Sequence, residues 1–411
     1  MRKINLIIAF FILANIQLFA QGGSNYSIFG VGDIQNSHSA RFEAIGGTSI
    51  AIPSPYAINL KNPAQWANVM TTRIQAGYNY NLRNIEQGID NMYQSNAAVN
   101  QIMGIFAIDT SKGIAASFGV VPYSSVNYLV KKHERISDNN FDIAGESLYQ
   151  GSGGISQAFL GLSTKIFNWF KVGLSFSTFF GKSNQSINTV FYDYINQNQI
   201  NRKSTINRGF LLKGGLVLEP IKNLYFGFIY DKVLSTKSET EIYFDGTYNY
   251  VTNDSTHSYT LDAKLPDSYG VGIGYQLNEY IFGADFTMQD FSNFTLNKND
   301  KFEYRNSFNA SAGISRIGQG GFRKTFFDKV TYNLGVGYKQ LYYKVFGQDI
   351  NEYYGSFGLD IPVSNYFWIN TAFTFGVRGV NENNAIKETF GRLNVNLSIG
   401  ETWFKPFSDE L

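Results

Sequence analysis

Stretch after stretch of this chain alternates residue by residue between oily side chains and polar or small ones. In residues 392–400 (RLNVNLSIG), Leu393, Val395, Leu397 and Ile399 share one face, and Arg392, Asn394, Asn396 and Ser398 the other. Residues 367–378, 332–339 and 269–276 repeat the pattern, as do 172–180, 160–166, 308–315 and 74–82. Successive side chains on a β-strand point to opposite faces, so each stretch predicts a strand with one apolar and one polar side. Such strands build either a sandwich, with oily faces packed together, or a membrane barrel, with oily faces toward lipid. Three features favour the barrel. The stretches approach the ~10 residues that a tilted membrane strand needs. Aromatic residues crowd their ends, as in an interfacial girdle: Trp66, Trp169, Tyr225, Tyr280, Tyr366, Trp368 and Trp403. The connections alternate in length. Short ones fall near 109–113, 167–170, 219–223, 276–279 and 362–366, with 319–329 a longer member; long polar ones fall at 84–96, 127–150, 182–208, 232–265, 290–303, 344–351 and 379–388. Short periplasmic turns and long outer loops are the asymmetry of bacterial barrels, and the hairpins sum to about 14 strands. Both chain ends are then expected on the periplasmic side. Residues 191–206 and 239–260 are candidates for strands continuing above the membrane.

The N-terminus predicts export. Arg2 and Lys3 precede the apolar run 6–14 (LIIAFFILA), and Leu18-Phe19-Ala20 fits a cleavage site before Gln21. Residues 1–20 read as a signal peptide, because the run is too short for the ~20 apolar residues of a spanning helix. No later stretch is long and apolar enough to span as a helix, so a chain that enters a membrane must do so as a closed barrel. Charged residues make up 16% of the chain, against about 25% in soluble domains, while mean hydropathy is only −0.18. A wall that is oily outside and polar inside has that average. The 34 basic and 32 acidic residues nearly cancel and give no reason to expect nucleic acid. The absence of cysteine excludes a disulfide scaffold, a thiol nucleophile, an iron–sulfur cluster and a lipoprotein anchor.

The mature chain divides into residues 21–70, which do not alternate, and an all-β transmembrane antiparallel barrel over 71–411. The first part carries Gly46-Gly47, Pro53, Pro55 and Pro63, the chemistry of turns. A barrel of about fourteen strands is too wide for its own side chains to fill, so this segment is expected in the lumen as a hatch. Lumen-facing charges are predicted at Lys165, Asp285, Lys339, Arg378 and Arg392. They are expected to hydrate the lumen or bond the hatch; the sharper alternative is contact with a ligand's carboxylate. No cofactor or enzymatic chemistry is called for. His38, His133 and His257 lack the serine partner that a barrel lipase would need. Asp138, Asp142 and Glu146 lack the spacing of a calcium cage. The glycines at 151–154 and 270–274 lack the context of a phosphate loop and are expected to bend strands or leave room in the lumen.

Several blocks in order resemble the FadL/TodX-like outer-membrane transporters of hydrophobic compounds, in a divergent Bacteroidetes-type branch. They are residues 26–33 (YSIFGVGD), 44–48 (AIGGT), 58–64 (INLKNPA), 283–294 (GADFTMQDFSNF), 350–362 and the closing 386–404. Asn62, Pro63 and Ala64 look like that family's hatch motif. The resemblance implies a Gram-negative outer membrane, contact with its lipids, and passive uptake of a small hydrophobic ligand through lumen binding and lateral release. It implies an encounter with the barrel-assembly machinery during insertion. A related barrel in the same superfamily acts in type IX protein secretion, so the second expectation is a non-transporting scaffold or partner of secretion-system proteins.

Overall fold

The computed structural model describes residues 22–35, 39–138, 141–192, 199–248, 251–261, 265–294, 302–320, 324–382 and 385–403. The signal peptide and His38 lie outside them, as do the side chains of Asp138 and Asp142.

One antiparallel sheet of eighteen strands contains the whole wall. Fourteen strands form the closed ring: β2 Thr72–Gln87, β3 Asp90–Asp109, β4 Ile114–Ser125, β6 Phe141–Phe167, β7 Phe170–Phe191, β8 Gln199–Ile221, β9 Leu224–Tyr248, β11 Ser268–Leu277, β12 Tyr280–Gln289, β14 Ser307–Arg316, β15 Thr331–Val345, β16 Gln348–Pro362, β17 Phe367–Gly379 and β18 Lys387–Glu401. The ring closes where β18 pairs with β2, from Lys387↔Glu86 to Glu401↔Thr72. Four accessory strands flank it: β1 Asp33–Ile34, β5 Tyr128–Asp138, β10 Val251–Leu261 and β13 Phe302–Tyr304.

Burial decides between sandwich and barrel. On β18, Leu393 is 43% and Ile399 61% exposed, whereas Asn396 and Ser398 are fully buried. The oily parity faces outward and the polar parity inward, the reverse of a sandwich, so the wall is of the outer-membrane type.

The wall is lopsided. β11, β12 and β14 have 10 residues each, about one membrane thickness. β6 has 27, and β7, β8 and β9 have 22, 23 and 25. These four rise beyond the lipid band with β5 and β10 paired to them. Much of what reads as long loops is therefore strand, including the 191–206 and 239–260 candidates from Gln199 to Ile206 and from Glu239 to Tyr248. Residues 84–96 and 344–351, expected as loops, are tight hairpins turning at Gly88 and at Phe346-Gly347, where positive φ values of 51° and 74° reverse the chain. Backbone pairing continues where neither face meets lipid, but the alternation that signals it fades there.

Three girdle aromatics correct the sequence reading. Trp169, Tyr280, Tyr366 and Trp403 are exposed at strand ends. Trp66 is buried in the N-terminal segment, its indole N–H donating to the Asn59 carbonyl at 2.6 Å. Tyr225 is buried, and Trp368 falls on the inward parity of β17. Parity, not closeness to a strand end, sets which way a ring faces.

Candidate functional site

The N-terminal segment, residues 22–35 and 39–69, packs on the inner face of the wall. Its course follows one cross-strand row of small residues. Gly274 pairs with Gly283, Gly283 with Gly313, Gly313 with Gly335, Gly335 with Ser356, Ser356 with Thr374, and Thr374 with Arg392. Residues 43–52 run along this row from β18 back to β11. The Glu43 carboxylate accepts from Arg392 at 3.0 Å and from Thr374 at 3.2 Å. The Ser356 hydroxyl donates to the Ala44 carbonyl at 3.1 Å and accepts from the Gly46 amide at 3.0 Å. A Cβ on Gly335 would lie 2.1 Å from backbone atoms of Ile45 and Gly46, and one on Gly313 2.5 Å from the Ile45 carbonyl oxygen. The wall lacks side chains here because another backbone occupies their place. The turn that starts this course needs Gly46 and Gly47 at φ of 73° and 79°.

The expected site residues fall in distinct places. Asp285 on β12 caps the turn of the segment, accepting from the amides of Ser49 at 2.7 Å and Ile50 at 2.9 Å and pairing with Lys61 at 3.4 Å. Asn62 caps the 3-10 helix Pro63–Asn68, accepting from the Ala64 amide at 3.0 Å. Its side-chain NH₂ donates to the carbonyls of Ile50 at 2.8 Å and Leu216 at 3.1 Å, so Asn62 ties the segment to itself and to β8. Asn62 and Pro63 press on Gly215 and Gly173, where an added Cβ would come within 2.1 and 2.3 Å of them. Ala64 is fully buried. Lys165 stands apart: it lies at the end of the wall near the 109–113 turn, reaching the Ser111 carbonyl at 3.5 Å.

Lys339 and Arg378 belong to a buried cluster that sequence reading captures only by half. Arg378 on β17 contacts Asp33 at 3.0 Å and Glu352 on β16 at 2.5 Å. Lys339 on β15 lies 3.9 Å from Asp33 and donates to the Ile34 carbonyl at 2.9 Å. Arg83 on β2 pairs with Glu388 on β18 at 3.0 Å and approaches Asp33 at 3.8 Å. Glu388 also accepts from the Ser24 hydroxyl and the Asn25 amide, each at 2.8 Å. Three cations thus face three carboxylates, and the segment supplies the central one, Asp33. Burial pushes the Asp33 carboxyl up, but Arg378, Lys339 and Arg83 more than reverse this and hold it well below the usual carboxylate range. Glu352 and Glu388 lie on the inward parity of their strands, the one signal that could have found them.

The wall parts between β3 and β4. β3 pairs with β4 only from Asp109↔Ile114 to Ile102↔Val120. Beyond that, β3 continues against β2, while the edge of β4 is taken by β1, through Asp33↔Ser125 and Ile34↔Ser124. The parting is closed by the segment's first residues: Gly22 lies against Gln94 of β3, Gly23 against the Asn127 carbonyl, and Gln94 donates to the Leu129 carbonyl at 2.6 Å. Gly22 therefore sits in the outer half of the barrel, and the expectation that both chain ends lie on the periplasmic side is corrected for the N-terminal one. The space behind it, about 80 Å³, is lined largely by polar groups such as Asn79, Asn81, Arg83 and Asn96. A second space of about 120 Å³ beside Leu60 and Lys61 mixes Met103, Leu211 and Phe308 with the Lys213–Asp231 pair. Among the described residues no group of His, Asp and Glu is placed to hold a metal ion.

Solved structures share this fold at low identity. The CymD monoaromatic hydrocarbon channel matches with a TM-score of 0.62 at 11% identity, over 92% of this chain and all of that one. The Pseudomonas putida toluene transporter TodX matches at 0.61 and 15%, over 91% of this chain and all of that one. A Pseudomonas aeruginosa FadL homologue matches at 0.61 and 13%, with the same coverage. The resemblance read from the sequence blocks thus extends to the fold. No curated protein matches the chain. The BamG family model matches residues 1–407, nearly the whole length, and the chain belongs to the BamG family.

Proposed function

We propose that this protein is a sealed barrel that works through partners, as a subunit of the machinery that assembles outer-membrane proteins, rather than as a pore. The observation that carries this reading is the fixing of the N-terminal segment as a plug: Asp33 and Glu43 pair with cations on four wall strands, and residues 43–52 lie on a seat of wall glycines. A hatch meant to move would be expected to bury fewer charges, since its departure strands the wall cations without their carboxylates. The family name points the same way, as do the strands β6 to β9, which stand above the lipid and give a partner a rigid surface. The protein acts in the outer membrane of a Gram-negative cell, after export and removal of residues 1–20; the basic start and short apolar run of those residues support this reading.

A second reading keeps the barrel as a passive channel for small hydrophobic molecules. The shared fold and the 120 Å³ space beside Leu60 and Lys61 favour it. The Lys213–Asp231 pair in that space and the Asn79, Asn81, Arg83 and Asn96 side chains at the parted wall weigh against it, because an oily solute gains only where apolar surface receives it.

Depletion in cells separates the two. The first reading expects other outer-membrane barrels to accumulate unfolded in the periplasm, and tagged protein to co-purify with the insertion machinery. Intact barrel assembly together with loss of toluene or fatty-acid uptake would establish the channel instead.

A further inference from the structure

At the end of the wall opposite the tall strands, a cavity of about 730 Å³ opens beneath the N-terminal segment. Clefts that bind ligands run from about 300 to 1,000 Å³. Pro53, Pro55, Tyr56, Ile317, Val363 and Trp368 give it flat apolar sides, with Tyr56 stacked on Trp368 at 4.2 Å between ring centroids.

Three residues on its lining each hold a buried polar atom without a partner. Arg41 spends its Nη1 on Asp360, but its Nε–H has no acceptor. Asn370 donates to Asp360 at 2.7 Å, but its Oδ1 accepts nothing. The Trp368 indole N–H is likewise unpartnered. Arg41 and Asn370 are both more than nine-tenths buried. Each such group destabilises the fold, so three around one cavity leave hydrogen bonds that an occupant can complete.

We propose that this cavity binds an extended polypeptide segment of a periplasmic partner. Two N–H donors and one oxygen acceptor complement main-chain carbonyls and an amide N–H, and the prolines and stacked rings accept an apolar side chain. A hydrocarbon, which has neither donor nor acceptor, would leave all three groups as they are. The proposal rests on the reading that the barrel acts through partners, and it assigns where one of them docks.

The test uses the full mature barrel in lipid nanodiscs and two fluorescent, end-blocked heptapeptides of alternating serine and phenylalanine, one of them N-methylated along its backbone. Anisotropy is expected to show binding of the plain peptide, at least tenfold weaker binding of its methylated twin, and no competition by toluene. Trp368→Phe keeps the ring stack and removes only the donor; it is expected to weaken the plain peptide about tenfold, as loss of one buried hydrogen bond does, while leaving the melting temperature unchanged or raised. Equal binding of both peptides, equal binding by wild type and Trp368→Phe, or no peptide binding would overturn the proposal. If the wild type co-purifies with the insertion machinery but binds no peptide, only the docking site fails; if it does not co-purify, the partner reading fails first.

Discussion

Arg378 and Asp33 lie 345 positions apart in sequence and meet at 3.0 Å inside the barrel. Each is nearly inaccessible to water, and each has further partners of opposite charge, Glu352 for Arg378 and Arg83 and Lys339 for Asp33. A buried pair of this kind is worth little against a well-packed apolar pair, but losing one member strands the other. Asp33→Asn is expected to destabilise seating of the N-terminal segment by about 3–5 kcal/mol. The fourteen-strand wall, held by its own ladder, is expected to survive. Limited proteolysis should cut the freed segment in Asp33→Asn and spare it in the wild type, with the heat-modifiable mobility of the barrel unchanged in both. A segment that stays protected would mean that the glycine seat alone fixes it.

The same carboxylate sets a pH dependence. Its folded pKa is depressed, so the stability it contributes is fully present above the unfolded value of about 3.9 and disappears only as pH falls through the lower folded value. The segment is therefore expected to stay seated at pH 4–5 and to loosen only in stronger acid. Protease protection measured across pH 2–7 tests this. Asp33→Asn should be cut across the whole range, having no carboxylate to protonate at that position. Release already at pH 5–6 would show that some other group governs the seat.

The wall was legible because its rule is local. Parity along 392–400 assigns every residue of that strand to lipid or lumen, and burial of Asn394, Asn396 and Ser398 agrees. Trp368 shows the limit of a cruder cue, since its place at a strand end suggested the girdle while its parity put it inside. By its own residue pattern the segment was legible only as something that does not alternate. Its partners lie hundreds of residues away, and no period in 21–70 announces them. One signal was available: Lys339, Arg378 and Arg392 share the inward parity with too few wall anions nearby, which demands carboxylates from elsewhere. Asp33 and Glu43 are those carboxylates. The parting between β3 and β4 was not legible, because it arises when β1 takes the edge of β4 that β3 would otherwise have used.

Glycines on the seat should be intolerant for a reason unrelated to strand propensity. A Cβ on Gly335 meets the backbone of Ile45 and Gly46 at 2.1 Å, and backbone cannot rotate away as a side-chain tip can. Gly320, by contrast, has open space around it. Gly335→Val is expected to expel residues 43–52 while improving the strand, since β-branched residues suit a pleated wall. In planar bilayers the variant should show ion conductance that the wild type and Gly320→Ala lack. Silent bilayers from a folded Gly335→Val barrel would mean that the lumen is closed by something other than this segment.

Asn62 separates two roles that one side chain combines. Its Oδ1 caps the helix Pro63–Asn68 through the Ala64 amide, while its NH₂ reaches the carbonyls of Ile50 and Leu216. Asn62→Asp keeps the acceptor but replaces the two donor contacts with carboxylate oxygen against carbonyl oxygen. Asn62→Ala loses both functions but introduces no repulsion, and loss of the cap alone costs about 0.5–2 kcal/mol. If anchoring to β8 matters more than capping, Asn62→Asp should be the more damaging change, despite preserving a preferred cap residue. Hydrogen exchange at the amides of residues 64–69 reads this directly: faster exchange in Asn62→Asp than in Asn62→Ala assigns Asn62 to holding the segment on the wall, and the reverse order assigns it to the helix.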